Sequence, residues 1–220
     1  MTTDLREAAA HDNARWCDAV CASHGLAGRF DADAWSVPRR SPQWYPDAVT
    51  LRPGVDPEAL LARIDVGPGA SVKDSFADLD LSAYGFRVLF DAQWIHRPPT
   101  GTPTGTPLTP VTTGQGLAAW ARAHGGGELF RPALLADRRI RVLARHDERG
   151  AVVGGAVVSG DDPAGVSNVF SHGDDPDEIW HAIVATLPGV PLVGYETIPD
   201  LAPARRAGFL PVGPLRVWLR

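Results

Sequence analysis

The strongest constraint on this chain is the order of apolar runs and turn signals between Arg138 and Arg220. RRIRVLARH and AVVGGAVVSG are two such runs, separated by the polar turn His146-Asp147-Glu148-Arg149-Gly150. Val, Ile and Leu runs flanking a polar turn read as a hairpin. A third run, Gly165–Phe170, follows the Gly160-Asp161-Asp162-Pro163 turn, and a helical pattern spans Asp177–Leu187. Pro191–Glu196 reads as another strand. A short helix then ends in Ala207-Gly208-Phe209, and Pro214–Leu219 closes the chain as a last strand. The order is strand, strand, strand, helix, strand, helix, strand.

An echo of this ending lies upstream, in SVKDSFADLDLSAYGFRVLFDAQWIH. Val72–Phe76 reads as a strand, Asp78–Tyr84 as a short helix, Gly85-Phe86 as the turn and Arg87–His96 as a strand. Phe86, Val88, Phe90 and Trp94 are expected on one face of that strand. Both copies carry an Asp-Leu pair (Asp80-Leu81, Asp200-Leu201) shortly before Gly-Phe, which suggests a repeat. Between them Pro98–Pro110, PPTGTPTGTPLTP, has the composition of a linker or mobile loop. The expected organisation is an N-terminal half over residues 1–97, a linker over 98–110 and a fuller unit over 111–220.

The remaining elements are simpler. Asp4–His24 has a helical pattern stopped by Gly25, Asp47–Leu51 reads as a strand, and Asp56–Ile64 and Gly114–His124 read as helices. Trp35, Trp44 and Tyr45 sit among prolines and arginines. They either stack on a ligand beside Arg39 and Arg40 or pin an irregular loop to the core, the commoner use. Cys17, Cys21, His24 and His11 lack a second ligand pair at zinc spacing, so the thiols are expected in a core.

Composition removes whole classes of function. A net charge of -5 on 220 residues argues against a nucleic-acid surface. No stretch is long and apolar enough for a bilayer, and the cytoplasm is the expected compartment. Arginine supplies all the basic residues except one, Lys73. No Ser-His-Asp or metal-ligand spacing stands out.

The terminal order, with its short helix, Gly208-Phe209 and final strand, resembles the C-terminal part of the GNAT acyltransferase superfamily. The resemblance implies an α/β (α+β) fold, a mixed sheet flanked by helices, with Gly165–Phe170 and Leu192–Glu196 splaying apart to admit an acyl-CoA. It also implies acetyl-CoA or another acyl-CoA as cosubstrate, a small amine as acceptor, and backbone groups of Ser167, Asn168, Val169, Phe170, Ser171 and Gly173 around the cofactor. The family's Q/R-x-x-G-x-G/A loop presents amides at a helix N-terminus to the pyrophosphate. Here that loop is Ser171–Glu178, which keeps Gly173 but has no Arg or Gln. Asp174, Asp175 and Asp177 occupy it instead. A carboxylate ~8 Å from a phosphate charge costs ~2 kcal/mol at an effective dielectric of ~20. The same residues suit a helix start, with Asp175 as N-cap, Pro176 in the first turn and Glu178 completing a capping box.

The tyrosine acid that the family often carries before Gly-Phe is replaced by Ala204-Arg205-Arg206-Ala207. Tyr195 and Glu196 are the nearest substitutes, and alternation is expected to turn only one of them to the cleft. Lys73 and Asp74 hold the equivalent place in the N-terminal copy, as a catalytic carboxylate or as a buried ion pair. Three readings follow: an N-acyltransferase fed by acyl-CoA, a binding module that has lost CoA, or an acyltransferase fed by another carrier.

Overall fold

The computed structural model describes residues 4–101, 104–173 and 175–220. The hairpin expected from the apolar runs is present as β7 (Ile140–His146) and β8 (Val152–Ser159), and β9 (Ala164–Ser171) lies antiparallel to β8. α4 (Asp177–Thr186) then crosses one face, so β10 (Leu192–Thr197) returns parallel to β9. A helical crossover is what allows two successive strands to run parallel. After α5 (Leu201–Arg206) the chain closes with β11 (Leu210–Leu219).

The first half runs through the same order. α1 (Leu5–Ser23) is capped by Asp4, whose carboxylate accepts from Arg6 N at 2.9 Å. β1 (Arg29–Phe30), β2 (Ala34–Ser36) and β3 (Ala48–Thr50) follow, with each successive pair antiparallel. α2 (Pro57–Leu61) then leads to β4 (Ser71–Asp74), parallel to β3, and a 3₁₀ turn at Ser82–Tyr84 leads to β5 (Arg87–Arg97). β6 (Thr109–Pro110) edges β7, and α3 (Gly114–His124) precedes the second set.

Among the described residues all eleven strands form one mixed sheet, ordered β1-β2-β3-β4-β11-β5-β10-β9-β8-β7-β6. The last strands are exchanged. β5 of the first half pairs with β10 of the second, β11 of the second pairs with β4 of the first, and β5 and β11 pair at the centre. The apolar side of Arg87–His96 thereby finds its partner in the C-terminal region.

The Gly-Phe signature has the same physical cause in both halves. Gly85 and Gly208 take left-handed φ of 80° and 93°, which a glycine adopts without strain. Each following phenylalanine donates its N–H five residues back, Phe86 to Leu81 O and Phe209 to Ala204 O, and buries its ring.

One expectation fails in β5. Phe86 packs with Val72 and Trp218 beneath α2, whereas Ala92 and Trp94 pack with Ala9 and Ala10 of α1 on the other face. Val217 pairs with Phe90 but Trp218 with Val88, so Leu89 is an extra residue. One inserted residue turns the alternation over. Asp78–Tyr84 is likewise not a helix throughout; only Ser82–Tyr84 winds, while Asp74 holds the turn before it.

Residues 104–110, linker-like in composition, lie against α4. Leu108 is buried, its N–H bonds Thr186 Oγ1 at 2.8 Å, and Thr109–Pro110 extend the sheet. Cys17 and Cys21 are free and buried, as a core role requires.

Candidate functional site

β9 and β10 pair through only two positions, Leu192 with Ala164 and Val193 with Gly165. At the crotch a Cβ on Gly194 would lie 2.8 Å from the Val166 carbonyl oxygen, so only glycine permits this approach. Beyond it the strands separate. The N–H and C=O groups that would have continued the ladder are left facing a gap, open to a ligand that can hydrogen-bond them.

A bulge in β9 sharpens the split. Ser167 pairs with Val157 and Phe170 with Gly155, so Asn168 and Val169 together oppose Ala156. Asn168 adopts φ 53°, the left-handed conformation that Asn tolerates better than most residues. Its side-chain oxygen accepts from Tyr45 Oη at 3.3 Å.

Two cavities meet at the gap. On the α4 and α5 side, a cavity of about 500 Å³ is bordered by Val169, Phe170, Ser171, Gly173, Trp180 and Pro203. On the α1 side, a cavity of about 240 Å³ is bordered by Asn13, Trp44, Tyr45, Lys73, Asn168 and Tyr195. Val169 and Glu196 line both. The six backbone positions expected around the cofactor therefore divide. Val169, Phe170, Ser171 and Gly173 face the larger cavity, while Ser167 and Asn168 face the smaller, which Val169 also borders.

Glu196 is the carboxylate at the junction. Burial, with a smaller contribution from the Asp200 carboxylate, pushes it up to about 8. Among the described residues no Lys or Arg stands within ion-pair reach to pull it back. A group near that value can exchange a proton at neutral to mildly alkaline pH. Tyr195 turns to the α1 side, where its ring meets Trp94 edge-on at 5.7 Å. Alternation does place Tyr195 and Glu196 on opposite faces, but the open gap lets Glu196 border the α1 cavity as well.

Asp74 is elsewhere. Its carboxylate accepts from the N–H groups of Phe76, Asp78 and Leu79, and it lines neither cavity of the gap. It forms no ion pair with Lys73, because neighbours on a strand face opposite ways. Lys73 points to α1, where Nζ donates to Asn13 Oδ1 at 2.8 Å and sits 4.1 Å from the centre of the Tyr195 ring.

The start of α4 is less acidic in effect than its sequence suggests. Asp177 is paired with Arg206 of α5, and Glu178 with Arg145 of β7. The expected capping box is not formed, since the Arg145 pair takes the Glu178 side chain. Asp175 Oδ1 accepts from Asp177 N at 2.8 Å, but the helix begins at Asp177 with Pro176 at the N-cap, so Asp175 is not the N-cap and Pro176 lies outside the first turn. Asp174 lies outside the described residues.

Asn13 is the cavity residue the sequence does not mark out; Tyr45 and Lys73 stand out there for other roles. Of the two uses considered for the Trp44-Tyr45 aromatics, Tyr45 fills the second and pins its loop to the core. It packs on Trp16 at 6.1 Å and presents its hydroxyl to the bulge. Burial raises its phenol well above the ordinary value, so it is a neutral hydrogen-bonding group. Trp44, 63% exposed, rims the cavity.

No protein-family model matches the sequence, and no curated protein matches it. Solved structures do. A GCN5-related N-acetyltransferase from Kribbella flavida superposes with a TM-score of 0.60 at 16% identity, over 96% of this chain and 95% of that one. One from Sphaerobacter thermophilus gives 0.52 at 12% identity, over 97% and 93%. A GCN5-related N-acetyltransferase-like protein from Streptococcus suis gives 0.50 at 14%, over 89% and 83%. At these identities the likeness establishes the fold: this chain has the GNAT fold that its C-terminal order implied.

Proposed function

We propose that the chain is an N-acyltransferase that moves an acetyl or other acyl group from acyl-CoA to a small amine. The observation that carries this reading is the gap between β9 and β10, with a cavity on each side and Glu196 bordering both. A thioester lying along Val169–Ser171 enters from the α4 side, its amide groups satisfied by the unpaired edge of β9. An amine enters from the α1 side. The cavity there, at about 240 Å³, is below the ~300–1,000 Å³ of drug-sized sites, which favours a small acceptor over a protein segment.

In the reaction the amine nitrogen attacks the thioester carbonyl carbon, forming the C–N bond. Glu196 takes the proton the nitrogen sheds. The N–H groups of the bulge at Asn168 and Val169 are the donors assigned to the developing oxyanion. The C–S bond then breaks, and CoA departs on the α4 side, where among the described residues no tyrosine lines the cavity to protonate it. An ordinary thiol has a pKa of ~8.5, so near pH 8 the thiolate leaves and is protonated by water.

Titration calorimetry with acetyl-CoA, followed by thiol-release assays on an amine panel, tests the proposal. Binding of acetyl-CoA, together with amine-dependent thiol release that falls in Glu196→Gln, is the expected result. No binding of acetyl-CoA at millimolar concentration would overturn it. Turnover of a pantetheine thioester alone would then transfer the reading to a carrier-protein donor.

A further inference from the structure

The chain's one lysine is buried at the wall of the smaller cavity, 4% exposed, and among the described residues it has a single hydrogen-bond acceptor, Asn13 Oδ1. Among the described residues no carboxylate comes within 4 Å of its ammonium. The Tyr195 ring face covers one side, and an aromatic face attracts a cation without neutralising it. A buried ammonium of this kind is costly to the fold unless an anion completes it. Asn13 belongs to α1, Lys73 to β4 and Tyr195 to β10, so three elements converge to hold the charge in place. The same cavity holds Tyr45, bonded to Asn168, and the buried Ser167 Oγ, which has no partner.

We infer that Lys73 is the anion subsite of the acceptor, and that the acceptor is an amino carboxylate, such as an α-amino acid, with an apolar body. This deepens the acyltransferase reading and rests on it for the amine's fate. The amine is placed at Glu196 and the carboxylate at Lys73, since both line the one cavity. Trp16, Trp44 and Val166 of the same cavity supply an apolar wall for the acceptor's side chain. A carboxylate is favoured over a phosphate because one lysine and no arginine borders the space. A phosphate, nearly doubly charged, takes more donors and is commonly held by the planar fork of Arg.

The test uses matched triads: phenylalanine, its amide and 2-phenylethylamine, with leucine and alanine in the same three forms. With acetyl-CoA saturating, at least one free acid should be acetylated with a kcat/KM at least ~30-fold above its amide and its decarboxylated amine. The gain should appear chiefly in KM. Lys73→Met should remove the preference by bringing the acid down to its amide. The wild-type comparison needs no variant, so it stands even if Lys73→Met folds poorly. Binding of the same compounds without acetyl-CoA, followed by ligand-observed NMR, separates this inference from the reading beneath it. Lys73-dependent binding of the acids with no acetyl transfer would sustain the subsite and overturn the acyltransferase. Acetylation of amines and amides as fast as acids would overturn the subsite and leave the acyltransferase standing. Binding of none of the acids at 10-millimolar order would overturn the subsite outright.

Discussion

Replacing Glu196 with Gln perturbs the one ionisable group that borders both cavities among the described residues, and its consequences are readable in stability as well as rate. Burial raises this carboxyl from an ordinary 4.5 to about 8 in the folded protein. The folded state therefore holds the proton more tightly than the unfolded chain. The associated stability is fully present below pH 4.5 and is lost as pH rises through about 8. At 1.36 kcal/mol per pH unit the full swing is ~4.8 kcal/mol. The Glu196 side chain is half-buried and borders two cavities, and solvent screening lowers the cost of its ionised form, so ~2 kcal/mol is the expected loss between pH 5 and 8.5.

The assay is urea unfolding of wild type and Glu196→Gln across that range. Buried Asp12, raised to about 6, titrates in the same direction, and the histidines lowered by burial titrate oppositely. Only the difference between the two proteins isolates Glu196. Wild type should lose ~2 kcal/mol relative to the variant as pH rises. In turnover, wild-type kcat/KM should climb to a plateau above pH 8, while the variant runs ~10²–10⁴-fold lower and without that rise. Parallel stability curves, or an unchanged midpoint in the variant's rate profile, would refute both the burial argument and the base assignment.

Asp177→Asn should raise CoA affinity several-fold in calorimetry, by releasing Arg206 toward the phosphates; in the Arg206→Ala background the gain should vanish. Asp74→Asn should cost ~1–3 kcal/mol in urea unfolding, since an amide nitrogen replaces one of the two buried oxygens that accept from three backbone N–H groups, while kcat stays at the wild-type value. Gly194→Ala should cost ~1–3 kcal/mol, because its methyl meets the Val166 carbonyl, and should lower activity through displacement of the β9–β10 crotch; wild-type activity at unchanged stability would contradict that geometry.

The elements of this fold were legible where local chemistry dictates them. Period-two apolar runs marked β7, β8 and β9, and the glycine needed for a left-handed turn marked both Gly-Phe junctions. What stayed hidden depends on one inserted residue or on distant partners. Leu89 and the Asn168–Val169 bulge break an alternation that the sequence presents as continuous. The acidic run before α4 looked repulsive because its neutralising partners, Arg206 and Arg145, lie 29 and 33 residues away from Asp177 and Glu178. Lys73 looked like half of an ion pair because its real partner, Asn13, is 60 residues off on α1.

The two halves share an order of elements yet differ at the gap, and the difference explains why the ionisable group sits in only one of them. The last parallel pair is Val49 with Lys73 in the first half and Val193 with Gly165 in the second. Counted from there, the places of Tyr195 and Glu196 fall to Ser75 and Phe76, two positions beyond Lys73 and Asp74. In the first half those places are closed. Ser75 N donates to Thr50 Oγ1 at 2.8 Å, tying β3 to β4, while Trp94 Nε1 donates to Ser75 O at 2.8 Å and Phe76 is buried. No carboxylate stands there, and backbone groups that face the second gap unpaired are satisfied by side chains in the first. The first half then serves the second as a wall. Its α1, its Trp44-Tyr45 loop and the Lys73 end of β4 make up one side of a gap whose own strands are β9 and β10. A single chain thus encloses the smaller cavity with both halves, and Lys73 lines that cavity from the half whose own gap is filled.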